Sequence, residues 1–196
     1  MSAASAAPGG FAVCVYCASS DGVPAHYLDL ASALGGGIAG RGWTLVSGGG
    51  RRSMMGAVAS GARAAGGRTV GIMPQSMIDR EWGDHDSDEF VVTDSMRERK
   101  RLMEERADAF VALPGGLGTC EELFEVWSSG VLGLHGKPVV VVDPDGHWDG
   151  LLDWATGLVD RGFAGPRMMD RLRVVRPGDP GDLVSAVLDA CARPLT

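Results

Sequence analysis

Ala109-Phe-Val-Ala-Leu-Pro-Gly-Gly-Leu-Gly-Thr-Cys-Glu-Glu122 decides the fold of this chain. An apolar run of strand length meets a proline and three glycines, and a helical pattern opens at Thr119 and runs to Leu132. Strand, tight turn and helix in immediate succession make half of a βαβ unit, and the alternation recurs in both directions. Apolar spacing predicts strands over 12–16, 44–46, 69–73, 90–93, 109–113, 139–143 and 172–175, with helices over 24–39, 54–65, 95–106, 119–132, 148–161 and 182–192. This is the pattern of an α/β protein: a Rossmann-like, doubly wound, mostly parallel sheet with helices on both faces. In such a sheet ligands collect at the carboxyl ends of the strands.

Composition narrows the function. Of 196 residues 45% are apolar and 22% charged, which excludes a disordered chain, and the 30 glycines follow no collagen period. Eighteen Lys and Arg against 25 Asp and Glu leave a net charge of -7, which disfavours a nucleic-acid or anionic-membrane surface. Any anionic ligand must therefore be gripped locally. Apolar runs such as Pro138 to Val142 fall far short of the ~20 residues of a membrane span. Residues 1–10 are rich in Ala, Ser and Gly and read as a disordered tail ahead of a single domain over 11–196. They lack the basic start and apolar stretch of a secretory signal, so the expected location is cytoplasmic. Cys14 and Cys17, the close cysteine pair, lie on a strand where residues three apart face opposite ways, which disfavours a metal or redox C-x-x-C.

Two glycine-rich turns follow strands: Ser47-Gly-Gly-Gly-Arg-Arg-Ser-Met-Met-Gly56 and Pro114-Gly-Gly-Leu-Gly-Thr-Cys-Glu-Glu122. Neither is a dinucleotide fingerprint, because Ser53 and Glu121 stand where its last glycine belongs. Each still places bare amides and the positive end of a helix dipole beside open space, the chemistry of a phosphate seat. The competing reading is that the glycines only tighten strand-to-helix turns. In the second turn Gly115, Gly116 and Gly118 clear room, and the Thr119 hydroxyl is placed to cap the helix or bind an oxyanion.

Glu121 and Glu122 fall in the expected first helical turn, where the dipole favours the ionised carboxylate. Thr119-Cys-Glu-Glu122 equally spells a capping box, in which Glu122 merely closes the helix end. On the preceding helix Met96, Arg99 and Met103 share one face, so Arg99 either meets an anion or snorkels from a packed surface. It lies ~8 Å below the helix start at 1.5 Å per residue, within reach of the second glycine turn and of Glu122.

Other candidates carry less. Cys120 has no nearby histidine partner in sequence, and a small apolar side chain would serve there equally well. The run Asp84-His-Asp-Ser-Asp-Glu89 reads as a solvated acidic loop with no metal-ligand spacing. His26, His85, His135 and His147 are scattered. Lys100 and Lys137 are the whole lysine complement and make poor Schiff-base candidates.

The second turn resembles the P-G-G-x-G-T-x-x-E signature of the LONELY GUY (LOG) family of cytokinin-activating phosphoribohydrolases. Cys14-Val-Tyr-Cys-Ala-Ser-Ser20 is similar to that family's first strand and loop, Gly48 to Gly56 to its G-G-G-x-x-G-x-M-G segment, and Met96 to Met103 to its M-H-x-R-K-x-x-M helix. The similarity continues through Leu134-His-Gly-Lys-Pro138 to about Ala164-Gly-Pro166. It implies Arg99 and Glu122 as the catalytic pair and Gly115, Gly116, Gly118 and Thr119 as the phosphate loop. Lys100, Glu81 and Ser128 stand at nucleotide-contacting positions, Ser128 for a usual threonine, and Glu121, Gly49 and Gly50 complete the expected binding set. The resemblance also implies a homodimer with the site near the interface. Ser53 replaces a glycine of the pattern, Arg97 a histidine and Leu117 a common tyrosine.

The implied reaction is hydrolysis of the N-glycosidic bond of an N6-substituted adenosine 5'-monophosphate, giving free base and ribose 5-phosphate. The scheme requires no metal or redox cofactor. Two other functions use the same residues: a broader nucleotide 5'-monophosphate nucleosidase, and a non-catalytic nucleotide- or cofactor-binding module of this fold.

Overall fold

The computed structural model describes residues 10–81, 83–178 and 183–194, without the side chains of 79–81. The expected tail over residues 1–9, together with Asp182, lies outside the described residues. In chain order the elements are β1 (Ala12–Tyr16), α1 (Ala25–Gly40), β2 (Thr44–Ser47), α2 (Ser53–Ala64), β3 (Thr69–Pro74), α3 (Gln75–Glu81), β4 (Glu89–Thr93) and α4 (Met96–Glu105). Then follow β5 (Ala109–Ala112), α5 (Leu117–Val131), β6 (Val139–Val142), α6 (Asp149–Asp160), α7 (Arg167–Asp170), β7 (Leu172–Val175) and α8 (Leu183–Ala192).

All seven strands join one sheet in the order β4-β3-β2-β1-β5-β6-β7, and every pairing is parallel. The central strands β1, β5 and β6 are buried along their whole length, which explains why they read as continuous apolar runs. Alternate residues feed two cores. Val13, Val15 and Cys17 pack with α1, α2 and α8 on one face, while Ala12, Cys14 and Tyr16 pack with α4, α5 and α6 on the other. Cys14 and Cys17 therefore sit on opposite sides of the sheet, as the spacing requires.

After β1 the chain builds outward through β2, β3 and β4, then crosses back to lay β5 against the other edge of β1. The carboxyl ends of β1 and β5 thus form a topological switch point, and a crevice opens where their loops diverge. The first glycine turn, after β2, adjoins it. Gly35 fixes the neighbouring helices: a Cβ there would overlap the Val58 carbonyl oxygen and lie 2.8 Å from Ala62 N, so α1 and α2 meet backbone to backbone. Gly35→Ala is expected to cost about 1–3 kcal/mol, lowering the midpoint of thermal unfolding by several degrees in calorimetry.

The acidic loop is solvated as expected at His85, Asp86 and Asp88, with Asp84 the exception. Asp84 is buried and pairs with Arg63 at 2.7 Å, and Asp88 accepts from Thr69 N at 2.8 Å and Thr69 Oγ1 at 3.0 Å. The carboxylates tie the loop to α2 and β3, which no local spacing signals. Among the described residues no group of three or more His, Cys, Asp or Glu is arranged to hold a metal ion. Among them, too, no helix is long and apolar enough to cross a membrane.

Candidate active site

A cleft of about 250 Å³ occupies the switch point, lined by the β1–α1 loop at Cys17–Ser20, by Met55, Met77, Met96 and Arg99, and by Gly116–Thr119, Glu121 and Glu122. The second glycine turn forms one wall. Helix α5 starts at Leu117, two residues before the expected Thr119, because Gly116 takes an extended conformation (φ -96°, ψ -153°) and becomes the N-cap. No side chain caps this end. The first-turn amides of Leu117, Gly118 and Thr119 thus belong to cleft-lining residues, with the positive end of the α5 dipole behind them. Thr119 lies inside the helix and packs so closely on Gly115 that a Cβ there would overlap its Oγ1. Thr119 is not the cap, so the T-x-x-E box does not form and Glu122 stands in the second turn.

Arg99 is 5% exposed and its guanidinium is fixed by backbone carbonyls. Nε donates to Ile72 O at 3.1 Å, within β3, and Nη2 donates to Gly48 O at 3.1 Å, at the start of the first glycine turn. Nη1 then lies 3.8 Å from Glu122 Oε1. The close fit requires Gly48, where a Cβ would overlap Arg99 Nη2. Both side chains of the pair are largely shielded, at 6% and 13% exposure, so the attraction between them is weakly screened. The Glu122 carboxylate lines the same cleft. The Cys17 thiol is held well above the usual thiol range, first by burial and second by that charge.

The remaining expected residues divide. Gly116, Gly118, Thr119, Glu121, Arg99 and Glu122 line the cleft, and Gly115 adjoins it. Gly49 and Gly50 are buried and turned to other work: Gly49 O accepts from Asp84 N at 2.8 Å, and Gly50 bridges to Gly83. They shape the turn that presents Gly48 to Arg99, and neither lines the cleft. Lys100 pairs with Glu121 and, at 2.8 Å, with Glu125. Burial works against its charge, yet those two carboxylates raise its pKa above the ordinary lysine value. It knits α4 to α5. Ser128 lies about 13 Å along α5 beyond Thr119, and its hydroxyl donates to Glu125 O at 3.1 Å. It does not line the cleft. Glu81 ends α3, and its side chain lies outside the described residues.

Several contributors were not singled out by sequence reasoning. Ser19, Ser20, Met55 and Met77 line the cleft, and the rule that the switch point lies after β1 would have pointed to the first two. His147, on the loop after β6, sets Nε2 at 3.2 Å from Gly115 N and 3.0 Å from Gly115 O, bracing the second glycine turn from behind. Cys120 is pushed above the ordinary thiol value by burial, the reverse of an activated nucleophile.

A buried arginine-carboxylate pair beside a helix amino terminus at a switch point defines a class: a Rossmann-like protein with a charged pair set against an open cleft. Residues 55–185 match the family described as possible lysine decarboxylase. The chain belongs to that family, which includes the LONELY GUY proteins. It is 55% identical over 184 residues to a Mycobacterium tuberculosis protein named cytokinin riboside 5'-monophosphate phosphoribohydrolase, covering 94% of this chain and 95% of that one. A Mycobacterium marinum protein of the same name is 52% identical over 192 residues, 98% of this chain and 99% of the relative. Among solved structures, the molybdenum cofactor carrier protein of Chlamydomonas reinhardtii superposes with a TM-score of 0.64 at 22% identity, over 93% of this chain and 99% of that one, a likeness of fold. The decarboxylase in the family's description finds no support in the lysines. Lys100 is taken up by carboxylates, Lys137 Nζ donates to Glu104 O at 2.6 Å, and neither lines the cleft.

Proposed function

We propose that this protein hydrolyses the N-glycosidic bond of N6-substituted adenosine 5'-monophosphates, releasing the cytokinin base and ribose 5-phosphate. The observation that carries the reading is the Arg99–Glu122 pair, 3.8 Å apart, facing a cleft walled by the uncapped start of α5. The 5'-phosphate sits on the first-turn amides. Arg99, locked by Ile72 O and Gly48 O, orients Glu122 and the sugar. As the C1'–N9 bond breaks, positive charge builds on the ribose ring, and the Glu122 carboxylate stabilises it and aligns the attacking water. Water oxygen bonds to C1', the bonding pair of C1'–N9 leaves with the base, and one water proton ends on the base.

Support comes from the full-length relatives, whose names carry this activity. The decisive experiment incubates purified protein with isopentenyladenosine 5'-monophosphate, the unphosphorylated riboside and plain adenosine monophosphate, and follows free base by chromatography. The riboside is expected to react at least ~100-fold more slowly, since binding energy from the remote phosphate is used at the reacting carbon. Equal rates with and without phosphate would defeat the anchor. Equal rates for both monophosphates would favour the broader nucleosidase. Binding without base release would make the protein a carrier of the kind its fold also supports.

The reading extends to a cytoplasmic homodimer. A wholly apolar groove of about 360 Å³ runs between α5 and α6, lined by Phe124, Trp127, Leu132, Trp154 and Leu158, and Trp154 is 51% exposed. Ser128 borders the same groove, its hydroxyl turned to the helix backbone at Glu125 O. Trp154→Glu is expected to convert the dimer to a monomer in sedimentation, and a wild type that sediments as a monomer would remove this part of the proposal.

A further inference from the structure

Ser53 has the one left-handed backbone among non-glycine described residues, with φ +51°. L residues adopt that conformation uphill, and it persists where surrounding contacts hold it. The contact here is specific: Ser53 Oγ donates to the Ser20 carbonyl at 2.6 Å. Ser20 belongs to the β1–α1 loop, and Ser53 opens α2 directly after the first glycine turn. Ser19 and Ser20 line the cleft, as does Met55, two residues beyond Ser53. One hydroxyl therefore joins the loop after β1 to the loop after β2, beside the proposed nucleotide site.

Two further ties act on this loop. Ala18 N donates to Pro114 O at 3.3 Å, fixing the end nearer the sheet. Arg52 pairs with Asp21 at 3.4 Å, both well exposed at 45% and 69%, a kind of pair that contributes little. Glycine, which the family pattern has at this position, would take the left-handed conformation freely but could not make the bond. This chain keeps the strain together with the bond.

We propose that Ser53 is a positioning residue that clamps the Cys17–Ser20 loop, so that a nucleotide meets a wall already in place. The role of the clamp in substrate binding rests on the functional reading above; the clamp itself does not. Ser53→Gly and Ser53→Ala in the full chain separate the hydroxyl from the backbone strain. Both are expected to speed amide exchange at residues 19–21, and to weaken adenosine monophosphate binding in calorimetry by up to about tenfold. The KM for isopentenyladenosine monophosphate should rise in parallel while kcat stays within about twofold, since the loop forms the wall and not the reacting pair. Ser53→Gly should unfold a few degrees above Ser53→Ala, because only the glycine relieves the strain. Loop amides that exchange equally fast in wild type and both variants would overturn the clamp. So would a defect confined to Ser53→Ala, which would trace the effect to backbone geometry. Failure of the wild type to bind adenosine monophosphate or release base would sink the functional reading instead, leaving amide exchange to judge the clamp.

Discussion

Glu122→Gln is expected to reduce turnover of isopentenyladenosine monophosphate by about a thousandfold in a variant that still folds, its unfolding midpoint lowered only through the counter-charge that buried Arg99 loses. The substitution removes a charge and keeps the shape. Because α5 begins at Leu117 and Gly116 is its cap, Glu122 closes no capping box, and the helix loses nothing on that account. What disappears is the anion 3.8 Å from Arg99, the group assigned to the cationic sugar. Steady-state kinetics beside calorimetry decide the matter: full activity in a normally folded variant would take Glu122 out of the mechanism.

Gly48→Ala should be nearly as damaging without touching either member of the pair. A methyl group at Gly48 would overlap Arg99 Nη2, so the guanidinium must leave the carbonyls of Gly48 and Ile72 that aim it. Misplacing a positioning group by about 1 Å is enough for a loss near a hundredfold, which is the expected fall in kcat. Arg99→Ala should abolish turnover as well, but it strips a donor from two carbonyls and a cation from Glu122, so its unfolding midpoint should fall too. The burial of Arg99, at 5% exposure, is what ties its loss to stability. A Gly48→Ala enzyme with wild-type kcat would mean that the orientation of Arg99 is immaterial.

The sheet was legible because its central strands are short, fully buried apolar runs that alternate with helical patterns, and each observed strand ends within one residue of its expected limits. The short helices α3 and α7 were not, since one or two turns carry too little periodicity to stand out from a loop. Within the site, the meeting of Arg99 with Glu122 followed from helix spacing and the return of the next strand. The anchors of Arg99 did not, because main-chain carbonyls at Ile72 and Gly48 leave no mark in side-chain patterns. Gly49 shows the converse: a glycine-rich turn signals close approach, but sequence does not say whether a ligand or β3 approaches. Ser53 appeared as a mere departure from a pattern, and its bond to a residue 33 positions away became visible only once both loops were placed.

The imidazole behind the second glycine turn has a chemical corollary. A single ring nitrogen of His147 faces both the N–H and the C=O of Gly115, and it serves the first only when bare and the second only when it carries hydrogen. The tautomer of one exposed side chain therefore selects which pole of that peptide is occupied and which is left to the surroundings.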